Sequence, residues 1–291
     1  MLTQANTQTL ISFHLWLDNY ISNKGQGYIT TTSQFIYQND PALPNYVSYV
    51  APFRSFVCDS GVSGATIMNS VSGAFGVLNR GDSGMMIDYQ NGRILLPSSL
   101  GTNLNITGTY SFKEINIYKA NETQEKLVFS NKYYLNPRFD NAPITGVPPL
   151  TWNPKINSYD MVTPCVFVGL SQTENKNWAL GGLYNTNYNF ELSIMAETYS
   201  QLEGTLSLLA DSYQKWIPML SPADWPLNFY GDFKNNSGYN YQNLSTQKGD
   251  PSNLYFVSSA KVSKVGDIAK IDQSVFVGVA QITLEKPRTL H

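Results

Sequence analysis

Apolar side chains recur at helical spacing in two parts of the chain. At 100° of rotation per residue, those of residues 9–21 fall in one arc while Asp18 and Asn19 lie off it, which predicts an amphipathic helix. The same spacing across residues 199–217 predicts a second helix, which Pro218 is expected to stop because proline has no backbone N–H to donate. The two predicted stripes consist of Leu10, Phe13, Trp16, Leu17, Tyr20 and Ile21, and of Leu202, Leu206, Leu209, Tyr213 and Trp216.

Shorter apolar runs, separated by glycine and asparagine, dominate residues 60–129. Asn91-Gly92 lies between two such runs and predicts a β-hairpin, because asparagine and glycine both tolerate positive φ. Further strands are predicted at residues 110–118 and 127–129. This part of the chain is therefore expected to form a β-sandwich or a barrel-like unit.

The C-terminal part combines strand patterns with the second helix. Strands are predicted at residues 165–170, 188–196, 254–262 and 274–285. A strand, helix, strand, strand order predicts one helix packed on a mostly antiparallel sheet. The fold class predicted for the whole chain is α+β and β-rich, with an N-terminal helix and a β-sandwich or barrel-like part before this sheet.

Proline-rich and polar stretches indicate how the chain is divided. The predicted parts are an N-terminal helix at 1–24, an extended arm at 25–59, a β-rich part at 60–140, a proline-rich connection at 141–164 and an α+β part at 165–291. Within the last part, residues 221–253 are rich in Pro, Asn, Gly and Tyr and predict a long, mobile loop. The connection is compatible either with a linker between two domains or with a loop around one core.

Charged residues make up 14% of the chain, against a usual share of roughly 25%. The 19 basic and 21 acidic residues form no long run of either sign, so neither direct sequence-specific nucleic-acid binding nor an anionic-membrane partner is predicted. No signal peptide or membrane-spanning segment is predicted either. A surface poor in charge gives little repulsion between copies, which suits a protein whose faces are covered by other subunits.

One tetrapeptide has the form of a catalytic motif. Residues 81–84 read Gly-Asp-Ser-Gly, as around the nucleophile of trypsin-like serine proteases, but a triad also needs a histidine base beside Ser83. The only histidines are His14, in the first predicted helix, and the terminal His291. We therefore interpret residues 81–84 as a polar turn before a strand, and expect His14 to be a packing residue.

The other motifs point to no chemistry. Residues 80–82 read Arg-Gly-Asp, a cell-adhesion tripeptide, but no secretion signal accompanies them. Cys58 and Cys165 lack metal-ligand spacing, which argues against a zinc site. A pair of carboxylates that hydrolyses glycosides is not excluded, because the sequence gives no distance between the Asp and Glu side chains. No catalytic, cofactor-binding or metal-binding residue and no cofactor is predicted, and the protein is expected not to be an enzyme.

Three segments, at residues 53–65, 84–96 and 108–114, resemble uncharacterised virion structural proteins of tailed bacteriophages, especially those of marine and cyanobacterial hosts. The resemblance spans residues 10–130 and includes no catalytic signature. The later order of a strand, a helix at 199–217 and two closing strands is similar to phage tail-terminator and neck proteins, which form rings between head and tail.

This resemblance implies a virion protein made in the bacterial host cytoplasm, and specifically a neck, head-to-tail connector or tail-terminator ring subunit. Its implied partners are copies of itself and other neck or tail proteins. A ring uses heterologous contacts, and residues 28–56 and 221–253 are the segments expected to reach a neighbour. Two alternatives stay open: a baseplate or fibre-attachment protein, and a carbohydrate-binding or glycan-cleaving module, whose sugar stacking the many aromatic side chains would suit.

Overall fold

The computed structural model describes residues 2–38, 40, 43–102, 104–119, 163–177, 184–235, 238–265 and 276–288. Its helices are α1 (Leu2–Lys24), α2 (Tyr199–Ala210) and α3 (Tyr241–Gln247). Its strands are β1 (Tyr28–Gln38), β2 (Tyr46–Val50), β3 (Ser70–Gly73), β4 (Gly76–Asn79), β5 (Met86–Asp88), β6 (Arg93–Pro97), β7 (Ile106–Lys113), β8 (Asn116–Lys119), β9 (Cys165–Asn177), β10 (Tyr184–Ala196), β11 (Trp216–Pro218), β12 (Leu254–Lys264) and β13 (Phe276–Arg288). The fold is α+β and β-rich, with an N-terminal helix and mostly antiparallel sheets that curl into half-barrels, which confirms the predicted fold class.

Seven strands form the first sheet, in the order β4-β3-β7-β1-β2-β6-β5. Strand β1 lies at its centre: Tyr28 pairs with Lys113 of β7 near one end, and Gln38 pairs with Ser48 of β2 at the other. The arm predicted at 25–59 is extended, but its strands lie inside the sheet and do not project. The pattern of apolar residues did not predict β1 as a strand of the sheet. β1 is rich in threonine, which favours strands without being apolar, and it has a single buried side chain.

The hairpin predicted at Asn91-Gly92 joins β5 to β6. Asp88 pairs with Arg93, so residues 89–92 form the connection, and Gly92 has a φ of +62°. A side chain on Gly92 would also collide with the backbone of Arg54. Glycine is required here both by the backbone conformation and by the space available.

The second sheet has six strands in the order β11-β12-β13-β10-β9-β8. Strands β9, β10 and β13 each have 13 residues and pair antiparallel over most of their length, whereas β8 pairs parallel with β9. The single strand predicted at 110–118 is therefore two strands in different sheets, because the chain leaves β7 at Lys113 and enters β8 at Asn116. The strand predicted at 127–129 lies outside the described residues.

Helix α2 is shorter than the helix predicted at 199–217. A capping box starts it, in which the side chains of Thr198 and Gln201 each accept a hydrogen bond from the other's backbone N–H at 3.2 Å. The helix ends at Ala210, and the chain then turns through Gln214, whose φ is +62°. The predicted helix was too long because the spacing of apolar residues continues beyond Ala210 and carries no information about this turn.

The residues after the turn form β11, which pairs with β12. Pro218 is tolerated there because β11 is an edge strand, where a missing N–H costs no sheet hydrogen bond. Tyr213 and Trp216, predicted as core positions of the helix, are 51% and 56% exposed. The prediction that these two side chains are buried is therefore wrong.

The described residues of the segment 221–253 pack against the rest of the fold and do not form the predicted mobile loop. Four of their large side chains are buried: Leu227, Phe233, Tyr239 and Tyr241. Isolated backbone bridges join Leu227 to Phe233 and Tyr239 to Asp59, and α3 follows directly. The composition was misleading because these residues build turns from which several aromatic side chains, such as Phe233, Tyr239 and Tyr241, point inward.

One hydrophobic core takes side chains from both sheets and from α1. The ring of Phe13 on α1 stacks on Phe190 of β10, with 4.4 Å between centroids. Fully enclosed tyrosines come from the first sheet at Tyr49 and Tyr110, and from the second at Tyr188 and Tyr255. Residues 141–162 of the predicted connection lie outside the described residues, and the predicted division into parts stays a prediction.

Candidate functional site

The Gly-Asp-Ser-Gly segment forms the predicted polar turn. Asp82–Gly84 is a short 3-10 turn before β5, and Ser83 is exposed with a φ of +50°. The Asp82 carboxylate accepts hydrogen bonds from the backbone and side-chain N–H groups of Asn79, at 2.8 and 2.9 Å. The Asp82 carboxylate thus joins the end of β4 to the turn.

His14 lies on a different element, with its ring against Trp225 at 5.4 Å between centroids. Its residue is half-buried, but its Nδ1 atom is inaccessible and has no hydrogen-bond partner within the described residues. Burial lowers the pKa of His14 to about 4, an effect that Asp18 opposes and that Lys113 and Lys119 reinforce. The imidazole is therefore neutral at pH 7, in keeping with the packing role expected for it.

The Arg-Gly-Asp tripeptide does not present its arginine. The Arg80 Nη1 atom lies 3.1 Å from Oδ1 of Asp232, and both side chains are mostly buried. The guanidinium also lies over the ring of Phe233, at 5.1 Å from the centroid. These contacts attach the segment around residue 232 to the first sheet.

A mostly buried ion pair lies between α1 and the end of β7. The Nζ atom of Lys113 is 2.7 and 2.8 Å from the two carboxylate oxygens of Asp18, and their side chains are 16% and 13% exposed. Burial acts to lower the pKa of Lys113, but the Asp18 carboxylate overrides it and raises that pKa above its ordinary value. Burial also raises the pKa of the neighbouring Cys58 to about 12, so this thiol is not a nucleophile at neutral pH.

Asp59 connects three segments of the chain next to this pair. Its carboxylate accepts hydrogen bonds from the side chain of Asn19 at 2.6 Å and from the backbone N–H groups of Gly61 and Tyr241, at 2.8 and 2.9 Å. Burial raises the pKa of Asp59, and these hydrogen bonds oppose the shift. The three hydrogen bonds thus join α1 and the start of α3 to the segment after β2.

The most exposed large apolar side chain among the described residues belongs to a tight turn at residues 228–231, which we name the aromatic turn. Phe229 at its tip is 93% exposed, and its ring lies edge-on to Tyr230, which in turn packs on Tyr46 of β2. The Asn228 side chain accepts hydrogen bonds from the backbone N–H groups of Tyr230 and Asp232 at 2.8 and 3.2 Å. The turn is thus held in one shape by its own hydrogen bonds.

Contacts with β5 and its following turn fix the aromatic turn from below. Gly231 has a φ of +78° and lies close to Asp88. A Cβ atom added to Gly231 would overlap the Asp88 carboxylate. Its carbonyl accepts a hydrogen bond from the backbone N–H of Tyr89 at 3.1 Å. Phe229 therefore projects from a turn whose backbone is attached to the first sheet.

An open groove of about 620 Å³ lies between the end of α1, the β7–β8 connection and α2. We name it the α1–α2 groove. Its walls combine apolar residues, among them Ile115 and Leu208, with polar and charged ones, among them Glu114 and Gln201. An ion pair between Lys24 and Asp211, both lining residues, lies within it.

A scan against protein-family models gives no match, and a search of curated proteins gives none either. The described ranges contain no group of three or more His, Cys, Asp or Glu side chains that could hold a metal ion. None of the helices in the described part of the chain has the length and apolar character needed to cross a membrane. The surface features that stand out among the described residues are the aromatic turn, the α1–α2 groove and a few other exposed apolar side chains.

Proposed function

We propose that this chain is a structural subunit of a tailed-phage virion, of the neck connector or tail-terminator type, which acts by packing against copies of itself and other virion proteins. The observation that carries the proposal is Phe229, which is 93% exposed at the tip of the aromatic turn. Three further apolar side chains lie exposed on ordered strands: Ile36 at 69%, Val77 at 65% and Trp216 at 56%. The phage assignment itself rests on the resemblance of residues 53–65, 84–96 and 108–114.

Exposed aromatic side chains on rigid supports are the usual anchors of protein interfaces. Such a side chain loses little conformational entropy when a partner covers it, and its burial removes a large apolar area from water. The low charge content of the chain points the same way, because charged residues are depleted where interfaces are fully buried. The described residues of 28–56 and 221–253 are part of the folded subunit, so contacts between copies would use surfaces and not free arms.

The mass of the purified protein in solution tests this proposal. We expect light scattering over a range of concentrations to show a species larger than one chain, and negative-stain imaging to show closed rings of one size. A mass equal to one chain at every attainable concentration would contradict self-assembly. Rings that form only when other neck or tail proteins are added would support the virion role through the partner.

A second candidate function, carbohydrate binding, is favoured by the exposed aromatic side chains beside β11. Trp216 packs against Phe256 at 4.8 Å between centroids and is 56% exposed, and Tyr213, nearby in sequence, is 51% exposed. Flat aromatic surfaces of this kind stack on sugar rings. We expect this function to appear as glycan binding by the monomer that quenches tryptophan fluorescence and is lost on Trp216→Ser. Unchanged binding by that variant, or none by the parent, would remove this candidate.

A further inference from the structure

Five side chains form one continuous row across the second sheet. Trp216 of β11 pairs with Phe256 of β12, which pairs with Glu285 of β13. Glu285 pairs with Asn187 of β10, and Asn187 pairs with Glu174 of β9. Directly paired residues have their side chains on the same face of a sheet, so these five share one face, and we name them the Trp216–Glu174 row. At about 4.8 Å between strands, the row is roughly 19 Å long.

The row lies on the face turned away from the hydrophobic core. Successive residues of a strand point to opposite faces. On four of the five strands, a residue adjacent to the row is a core side chain: Ile217, Tyr255, Leu284 and Tyr188. The row itself is therefore on the side of the sheet where a ligand can approach.

The aromatic end of the row offers a surface for stacking. Trp216 is 56% exposed and packs on Phe256, with 4.8 Å between the ring centroids. The face of an aromatic ring is slightly negative, so it attracts C–H groups, whose hydrogens are slightly positive. One side of a sugar ring presents such C–H groups.

The other end of the row consists of hydrogen-bond acceptors. Asn187 is 8% exposed, and its Oδ1 atom has no hydrogen-bond partner within the described residues. The Glu285 carboxylate accepts a hydrogen bond from Nδ2 of Asn185 at 3.1 Å, and the carboxylate of Glu174, whose side chain is 42% exposed, flanks Asn187 on the other side. An acceptor buried without a donor is costly, which favours a ligand that brings a donor to Asn187 once the half-exposed Glu174 side chain moves aside.

The charges of the row select the kind of donor. Glu174 is paired with Lys176 at 3.2 Å, whereas an acidic sugar would bring a further carboxylate close to Glu285 and Glu174 and would be repelled. Neutral hydroxyl groups donate to carboxylate and amide oxygens without such repulsion. A metal cation would use the acceptors but not the aromatic end, so a neutral sugar chain fits the whole row better.

We propose that the Trp216–Glu174 row binds a neutral oligosaccharide. One sugar ring stacks on Trp216, and hydroxyl groups of the following rings donate hydrogen bonds to Glu285 and Asn187. The inference rests on the carbohydrate-binding candidate, for which it specifies the ligand class and the residues that hold the ligand. Because the row is much longer than one sugar ring, the affinity is expected to rise from a monosaccharide to a tetrasaccharide.

Isothermal titration calorimetry of the full chain tests the proposal, with cellotetraose, maltotetraose and tetra-N-acetylchitotetraose as probes. We expect at least one of them to bind with a Kd of about 1 mM or tighter, and its monosaccharide to bind at least about tenfold more weakly. Glu285→Gln removes a charged acceptor at constant size, and Asn187→Leu removes the buried amide oxygen. Each variant is expected to weaken binding by about tenfold.

Glu191→Gln is the matched control. Glu191 is exposed on the same face of β10, about 13 Å along the strand from Asn187, so the same chemical change is made outside the row. This variant is expected to bind like the parent chain, and circular dichroism checks that every variant is folded.

Three results would overturn the proposal. Binding that is lost in Trp216→Ser but unchanged in Glu285→Gln and Asn187→Leu would restrict carbohydrate binding to the aromatic pair. Binding that disappears on addition of EDTA would show that a cation, and not the row itself, holds the sugar. No binding of any of the three tetrasaccharides by the parent chain would remove both the row and the carbohydrate-binding candidate, and would leave the proposed structural role in place.

Discussion

Replacement of Lys113 by methionine is expected to lower the free energy of unfolding by about 3 kcal/mol. Lys113 neutralises Asp18 inside the fold, and the hydrophobic stem of methionine replaces its volume but not its charge. The variant leaves the Asp18 carboxylate mostly buried and unpaired, near the carboxylate of Asp59. Urea denaturation followed by far-ultraviolet circular dichroism measures the difference.

The double variant Asp18→Leu with Lys113→Met is the control for this prediction. It removes both charges together and is expected to recover most of the lost stability, since a buried ion pair and an apolar pair of similar volume are often nearly equivalent. Parent-like stability of the single variant would show that water reaches Asp18 freely. A double variant as unstable as the single one would show that packing, and not charge, dominates at this position.

Acid is expected to weaken the fold through His14. The unfolded chain takes up a proton at this histidine near pH 6.5, whereas the folded chain resists until about pH 4. Between these values the unfolded state binds more protons, so stability falls as the pH is lowered through this window and the loss levels off below it. The expected loss is about 2 kcal/mol, after allowance for the accessible part of the ring.

His14→Phe isolates this contribution, because phenylalanine keeps an aromatic ring against Trp225 and does not titrate. Unfolding free energies of the parent and the variant, measured from pH 7 to pH 4, should diverge as the pH falls. Asp59 acts in the opposite direction, since its raised pKa lets the folded state gain a proton first, but it does so in both proteins. Parallel pH curves would contradict the burial of the imidazole.

The sequence predicted those elements whose signals are local. The first helix follows from a 3.6-residue period, and the hairpin follows from Asn91-Gly92, where the backbone itself demands glycine. The place of β1 at the centre of a sheet was not predicted, because its threonine-rich sequence resembles a polar arm. The end of α2 was not predicted, because the chain leaves the helix by a turn through Gln214 while the apolar residues keep their helical spacing.

The buried polar groups could not be predicted, because their partners are far apart in sequence. Asp18 lies off the apolar arc predicted for the first helix, yet its side chain is mostly buried, and the partner that neutralises it is Lys113 on another element. Arg80 drew attention as part of an adhesion tripeptide, and nothing near it in sequence indicates its contact with Asp232. The exposure of Phe229 likewise depends on contacts between its turn and β5, which only the folded chain reveals.

Long-range hydrogen bonds of this kind have a consequence for how the protein comes into being on the ribosome. The hydrogen bond from the backbone N–H of Tyr241 to the carboxylate of Asp59 can form only after residue 241 has been synthesised. The hydrogen bond between the hydroxyl groups of Thr9 and Tyr255 needs almost the whole chain. Contacts with large sequence separation slow folding, because the loops between them must close first. We therefore expect the N-terminal half to stay incompletely folded during translation, and to complete its structure in one late, cooperative step after the C-terminal residues have emerged.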